Sequence, residues 1–477
     1  MFSARSQFYW QWRKAQHGAV TLRETDTPPE SLVQNIWHHQ RLRRADLRLL
    51  DGRSLRVLHP GFWNRGAGPD FRNAVVQLDR DPPVTGDIEI DLQSSGWHGH
   101  GHDRNPAFSG VKLHVVWEGD SRTALPTLVL KEFLDAPLAE LALWLSTDVA
   151  QKYPEPLLGS CAGPLRDLTE TQVEQLLNEA ALVRLQRKAA DLHARARQAG
   201  WEQALWEGMF RALGYKQNIW PMQRLGELRD RLAAPELPLV HTQARLLGVS
   251  GLLPDDLTRR QRSADSYLRT VWDHWWRERD GFQDCALPKN LWRLQGLRPA
   301  NHPHRRLALA AHWSQDASLV KRIEQWFSTT TPKNALPESL LEILLPKTDE
   351  FWGRHWTLRS AMMPKAQPLL GATRVTDLAI NVILPWCWVR AREGNNARLQ
   401  TEAERRYFAW PAAEDNTVLR LARDRLLGGR KTTKPTRAAW QQGLMQVVRD
   451  FCDHSDALCA GCKFPELVQN WRLTATD

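Results

Sequence analysis

Gly86-Asp87-Ile88-Glu89-Ile90-Asp91-Leu92 alternates polar and apolar residues without a break. A period of two belongs to a strand, which puts Asp87, Glu89 and Asp91 on one face and Ile88, Ile90 and Leu92 on the other, against a core. Three carboxylates in a row repel and raise one another's pKa unless water, Arg or Lys, or a cation neutralises them. A divalent ion held by oxygen ligands is one solution, and a solvated acidic face of an antiparallel strand is the other.

The surroundings favour the ion. Upstream, Gly68-Pro69-Asp70-Phe71 leads into the apolar run Ala74–Leu78, which reads as the neighbouring strand. Downstream, Trp97-His98-Gly99-His100-Gly101-His102-Asp103 is a glycine-rich loop with three imidazoles, and Val111–Val116 reads as another strand, with Lys112 and His114 expected on one face. An imidazole titrates near neutrality and suits a general base. Earlier still, Pro28-Pro29-Glu30 introduces a helix over 31–42, with Glu30 or Ser31 at its start and Glu30 read as a first-turn acid. Leu47–Leu50 and Leu55–Leu58, joined across Asp51-Gly52, read as a β-hairpin.

Pro69-Asp70 followed by the acid-x-acid strand resembles the restriction-endonuclease-like, PD-(D/E)xK, nuclease core. That resemblance implies that Asp70 and Glu89 hold a catalytic Mg²⁺ or Mn²⁺, with Asp87 or Asp91 in support. The lysine of that pattern is absent, since Asp91 occupies its position, and Lys112 is the substitute considered. The order Pro69-Asp70, Asp91, Trp97-His98-Gly99-His100 is closer to the very-short-patch repair endonucleases, which implies His98 or His100 as general base. Over nearly its whole length the chain also resembles an uncharacterised bacterial family, domain of unknown function 2851, through His59-Pro60-Gly61, Gly68–Phe71, Gly86–Ile90, His100-Gly101-His102, Leu113–Val116, Arg298–Pro303 and the terminal cysteines. Members of that family usually carry His where this chain has Asp91.

The chain of 477 residues is long enough for two or three domains. The expected architecture is α+β, with a nuclease-like α/β unit over 1–135, an irregular all-α domain over 136–445 and a cysteine motif over 446–477. The second part rests on helical patterns such as Thr169–Ala199, opened by a Thr169/Gln172 capping box, and on Ser266–Arg279, Arg305–Trp313, Thr376–Arg392 and Arg437–Phe451. Lys and Arg number 64 against 54 acids, a formal charge of +10, which leans towards a polyanionic partner. No apolar stretch approaches a membrane span and the N-terminus lacks an apolar signal core, so a cytoplasmic protein without membrane contact is expected.

Arg298-Pro299-Ala300-Asn301-His302-Pro303-His304-Arg305-Arg306 concentrates cations at a helix start, where backbone N–H groups favour phosphate. Arg298, Asn301, His302, Arg305 and Arg306 are therefore candidate nucleic-acid contacts, and a capped helix entry explains the same residues. Cys452, Cys459 and Cys462 are spaced for Zn²⁺ or an iron–sulfur cluster, with a fourth ligand from His454 nearby or from Cys161, Cys285 or Cys387 far away in sequence.

Taken together these residues point to a metal-dependent nuclease acting on DNA or RNA. Asp70 and Glu89 bind the metal, His98 or His100 activates water, and Lys112 or His114 stabilises charge on the phosphate. Two rivals stand beside it. One is a nucleic-acid-binding scaffold with a retired nuclease core, motivated by Asp91 and the missing lysine. The other is a zinc hydrolase built on His98, His100, His102 and Asp103.

Overall fold

The alternating segment is the central strand of a six-stranded sheet. The computed structural model describes residues 7–17, 22–64, 66–119, 125–145, 158–258, 266–428, 436–452, 459 and 461–474. Its strands are β1 (Leu55–His59), β2 (Phe62–Trp63), β3 (Phe71–Leu78), β4 (Val84–Gln93), β5 (Val111–Glu118) and β6 (Thr127–Val129). They lie in the order β1-β3-β4-β5-β6, with β2 also on β3. β1, β3 and β4 form an antiparallel run, while β5 and β6 continue it in parallel. The crossover from β4 to β5 is the histidine loop, residues 94–110, reduced to a one-turn helix (Gly96–Gly99) and two 3₁₀ turns.

Each face of the sheet has its own core. Ile88 and Ile90 are fully buried with Ala74, Val76, Leu113 and Val115 against the helices Glu30–His39 and Leu138–Leu145. Val75 and Leu58 belong instead to the large core of the helical body, which ties the sheet to it. A third core gathers both ends of the chain. Tyr9 and Trp12 from the helix Gln7–His17 pack with Leu444, Phe451, Phe464 and Val468, and with Trp144.

Two irregularities in the sheet fix where side chains point. Between Phe71 and Ala74 the pairing of β3 with β4 slips by one residue, and Asn73 takes a left-handed conformation at φ 55°. Between Val111 and Leu113, β5 likewise holds one extra residue against β4. Such bulges re-aim side chains at the residues they contain. The expected hairpin before β1 shrinks to a turn with a single bridge, Arg48 to Ser54, although Leu55 N still donates to Leu47 O at 3.0 Å.

The rest of the chain is helical, as its patterns predict. Glu170–Ala199 is the longest helix, and the Thr169/Gln172 capping box forms at its start. The expected helix over 376–392 begins at Ala372 and runs to Glu393 through a wide π turn at Ala379–Ile383, just ahead of Pro385. A proline has no N–H to donate and crowds the preceding turn, so a π turn there relieves the clash. Among the described residues no helix is long and apolar enough to cross a membrane.

Candidate metal and acid-base site

Four carboxylates from three elements meet where β3 and β4 part. Asp70, just ahead of β3, accepts from the Ile90 amide at 3.1 Å, and its own amide donates to Glu89 Oε2 at 3.1 Å. Gln34, one turn into the helix Glu30–His39, donates to Asp70 Oδ1 at 3.0 Å and to Glu30 Oε1 at 3.1 Å. Asp91 follows Glu89 on the same face, and both are buried. Close approach of the histidine loop requires Gly96, where a Cβ would lie 2.6 Å from Asp91 Oδ1.

The loop returns two imidazoles to these acids. His100 Nδ1 lies 3.1 Å from Asp91 Oδ1, and His102 Nδ1 lies 3.4 Å from Glu89 Oε1. The His102 ring is clamped flat on Phe108, with centroids 4.0 Å apart, and edge-on to Trp97. On the far side of Asp91, the fully buried His114 places Nε2 2.9 Å from Asp91 Oδ2. Ligand atoms of Asp91, His100 and His102 all lie within 4.8 Å of one another, a spacing that a single metal ion spans. The donor set fits an ion on an independent ground, because the buried His102 Nδ1 makes no hydrogen bond among the described residues.

Crowding shows in the acidities. Burial foremost, and then the neighbouring Glu30 and Asp91 against the opposing Ile90 amide, push Asp70 up to about 7. Burial and then Asp70 push Glu89 up to about 8. Glu30 is raised as well, by burial and by Asp91. Burial lowers His102, which favours its neutral form, the form that ligates a metal or accepts a proton. A bound cation reverses the balance at such carboxylates by favouring their charged form.

Several expected residues are placed elsewhere. Lys112 does not share a face with His114: it is the extra residue of the β5 bulge and stacks over Gly86, where a Cβ would meet its Cγ at 2.1 Å. Gly86 pairs with Ala74, whose side chain belongs to the opposite core, so Lys112 is turned away from the acids. Asp87 shares the strand face but closes the β3 bulge, accepting from the Asn73 amide at 3.0 Å. His98 stands outside the cluster, exposed and 3.3 Å from Asp103.

In the basic segment before the helix Pro303–Gln315, Arg305 and Arg306 form a structural clamp, and the phosphate reading does not fit these two buried side chains. Arg305 is buried and donates to the carbonyls of His355, Gln367 and Pro368, at 3.3, 3.2 and 2.8 Å, and to that of Trp352. Arg306 donates to Leu369 O at 2.9 Å, Ala300 O at 2.7 Å and Asn301 Oδ1 at 2.9 Å. His302 is the N-cap of the helix, accepting from the His304 amide at 3.3 Å, and Asn301 also takes the Tyr215 hydroxyl. Arg298 alone of the five is exposed, 3.4 Å from Glu414.

The sequence reading passed over Gln34 and gave Glu30 and His102 smaller parts than their positions warrant. Glu30 was visible as the first acid of a helix, but nothing local shows that the helix start abuts β4. His102 was visible as the last member of an alternating His-Gly series. Cys452, Cys459 and Cys462 lie away from these acids, around the third core, and His454 falls outside the described residues.

No curated protein and no solved structure gives a significant match to the chain. The family described as "Protein of unknown function (DUF2851)" matches residues 30–416, a span that begins at Glu30 and takes in every acid and imidazole of the cluster; the chain belongs to that family.

Proposed function

We propose that this protein is a metal-dependent phosphodiester hydrolase acting on nucleic acid, with its centre at Glu30, Asp70, Glu89, Asp91, His100 and His102. The observation that supports it most is the convergence of four carboxylates and two imidazoles, drawn from one helix, two strands and one loop. Asp70 and Glu89 on neighbouring strands, joined by an acid from a helix, are what the likeness to PD-(D/E)xK nucleases leads one to expect. The formal charge of +10 suits a polyanionic substrate.

Asp91, His100 and His102 are the first ligand set, with Glu89 beside them. Two imidazoles with carboxylates suit Mn²⁺ or Zn²⁺ better than Mg²⁺, which prefers oxygen ligands. When bound, such an ion polarises a phosphoryl oxygen and lowers the pKa of water. The chain's own residues do the remainder. His114 fixes the orientation of Asp91, while Gln34 holds Glu30 and Asp70 in register. With its lone pair given to the ion, His100 would not take a proton as well, and the Glu89 carboxylate beside the set is the group left to accept one from an attacking water.

A cleft of about 360 Å³ opens between the same sheet face and the helical body, lined by His59, Phe62, Thr85, Asn290 and Arg293 among others. Val75 pairs with Thr85, and a period of two carries that face on to Glu89. A nucleotide flanking the scissile bond has room and polar partners there, with Phe62 as an apolar wall.

The experiment is cleavage of single- and double-stranded DNA and RNA with Mn²⁺, beside Asp70→Ala and Glu89→Ala. Loss of at least about a hundredfold in both variants is expected. Equal cleavage by variants and parent refutes the assignment, and salt-dependent binding without turnover in any metal supports the scaffold reading instead.

A further inference from the structure

We propose that Cys161 completes a four-thiolate metal centre with Cys452, Cys459 and Cys462, and that this centre staples the chain's end to the segment ahead of the longest helix. The three clustered cysteines are one ligand short of the four that zinc or an iron–sulfur cluster requires. Cys285 and Cys387 are buried in the core of the helical body, whereas Cys161 is buried in the third core, against which Cys452 and Cys462 pack.

The backbone around Cys161 is built onto the motif. Ser160 donates its amide to Cys459 Sγ at 3.5 Å, and Arg425 Nη2 approaches the same sulfur at 3.5 Å. Gly159 donates to Arg425 O at 3.0 Å, and a Cβ there would lie 3.0 Å from that oxygen and 3.2 Å from Cys161 Sγ, so the segments pack closely at this point. Cys459 and Cys462 are joined by a tight turn, with Cys462 N donating to Cys459 O at 3.3 Å and Gly461 at φ 71°.

The polar partners agree with the placement, since the Ser160 amide and the Arg425 guanidinium both reach Cys459 Sγ. An N–H donor and a guanidinium aimed at one sulfur favour its thiolate, the form that binds metal. The four sulfurs are soft donors, which leaves zinc or an iron–sulfur cluster as the occupant.

The test is metal content and absorption of full-length protein purified anaerobically under reducing conditions. A bound zinc without colour, or a brown iron–sulfur chromophore, is expected, and the two results identify the occupant. Cys161→Ser should lower the thiolate-bound metal, read by its sulfur charge-transfer absorption, by about tenfold or more, while Cys285→Ser leaves it in place. That absorption comes from sulfur ligands alone, which separates this centre from the acidic one. Apo-protein loaded with Co²⁺ adds a readout that does not depend on the variant folding: thiolate charge-transfer intensity of four sulfurs is expected in the parent chain. Intensity of three sulfurs, full retention of metal by Cys161→Ser, or a parent protein without zinc or iron overturns the proposal.

Discussion

Burial first, and then the neighbouring Asp70 carboxyl, raise Glu89 to about 8, against the Asp70 amide that donates to it. A carboxyl whose pKa is raised on folding binds a proton more tightly in the folded than in the unfolded chain. Its favourable contribution is complete below the unfolded value, near 4.5, and is lost as pH climbs through about 8. In chelator, therefore, Glu89→Gln should gain on the parent protein steadily between those limits. The gain at pH 8 should reach about 1 to 2 kcal/mol once partial solvent screening is allowed for. Denaturant unfolding at several pH values measures it, and a difference that does not vary with pH contradicts the crowding argument. Added Mn²⁺ should reverse the ranking, because the ion stabilises only the chain with the carboxylate. His114 bears on the same site through its contact with Asp91. His114→Ala should weaken metal binding there by about 10- to 100-fold, read by calorimetric titration, as expected when a partner that orients a ligand is lost.

At the scale of elements, the helix Pro303–Gln315 shows how an arginine can look like a ligand-binding residue and serve as a structural one. Arg305 gathers carbonyls from the loop 352–368, and burial lowers its pKa without removing its charge. Arg305→Met leaves those acceptors without a donor and should cost about 3 to 5 kcal/mol in chemical denaturation. The salt dependence of the proposed nucleic-acid binding should not change, whereas a phosphate contact would lower its slope by about one. Composition cannot separate these roles, since a cation cluster at a helix start reads alike whether it faces solvent or a carbonyl-rich loop. Periodicity did better. The alternation over Gly86–Leu92 predicts which β4 side chains enter the core, and Ile88 and Ile90 are there. Asp70 beside Glu89 was likewise legible, from Pro69-Asp70 ahead of an apolar run. Lys112 was not, because a one-residue bulge reverses the face and leaves no mark in local composition. Nor was Glu30, whose place depends on packing between a helix and a strand more than fifty residues apart.

On the scale of the molecule, the family match over residues 30–416 covers the sheet and most of the helical body, while the third core is assembled largely from residues outside it. The helix Gln7–His17 closes that core against the helix Ala438–Phe451. Its polar lock is Asp450, fully buried, with the Tyr9 hydroxyl donating at 2.9 Å, Gln446 Nε2 at 3.0 Å and Arg13 Nε 3.0 Å away. A charge at that depth is tolerated only while its cation and hydrogen bonds persist. Arg13→Met keeps most of the apolar stem but strands the carboxylate, and should cost about 3 to 5 kcal/mol. Adding Asp450→Asn should recover part of that loss, because an amide needs no cation and still accepts from Tyr9. The pair of variants measured together tests whether the two ends of the chain depend on one another. Metal affinity at Asp91, His100 and His102 should remain within about twofold in both, since these residues share no partners with the lock and lie against a different core. A large change in that affinity would mean instead that the sheet and the closing helices respond as one unit.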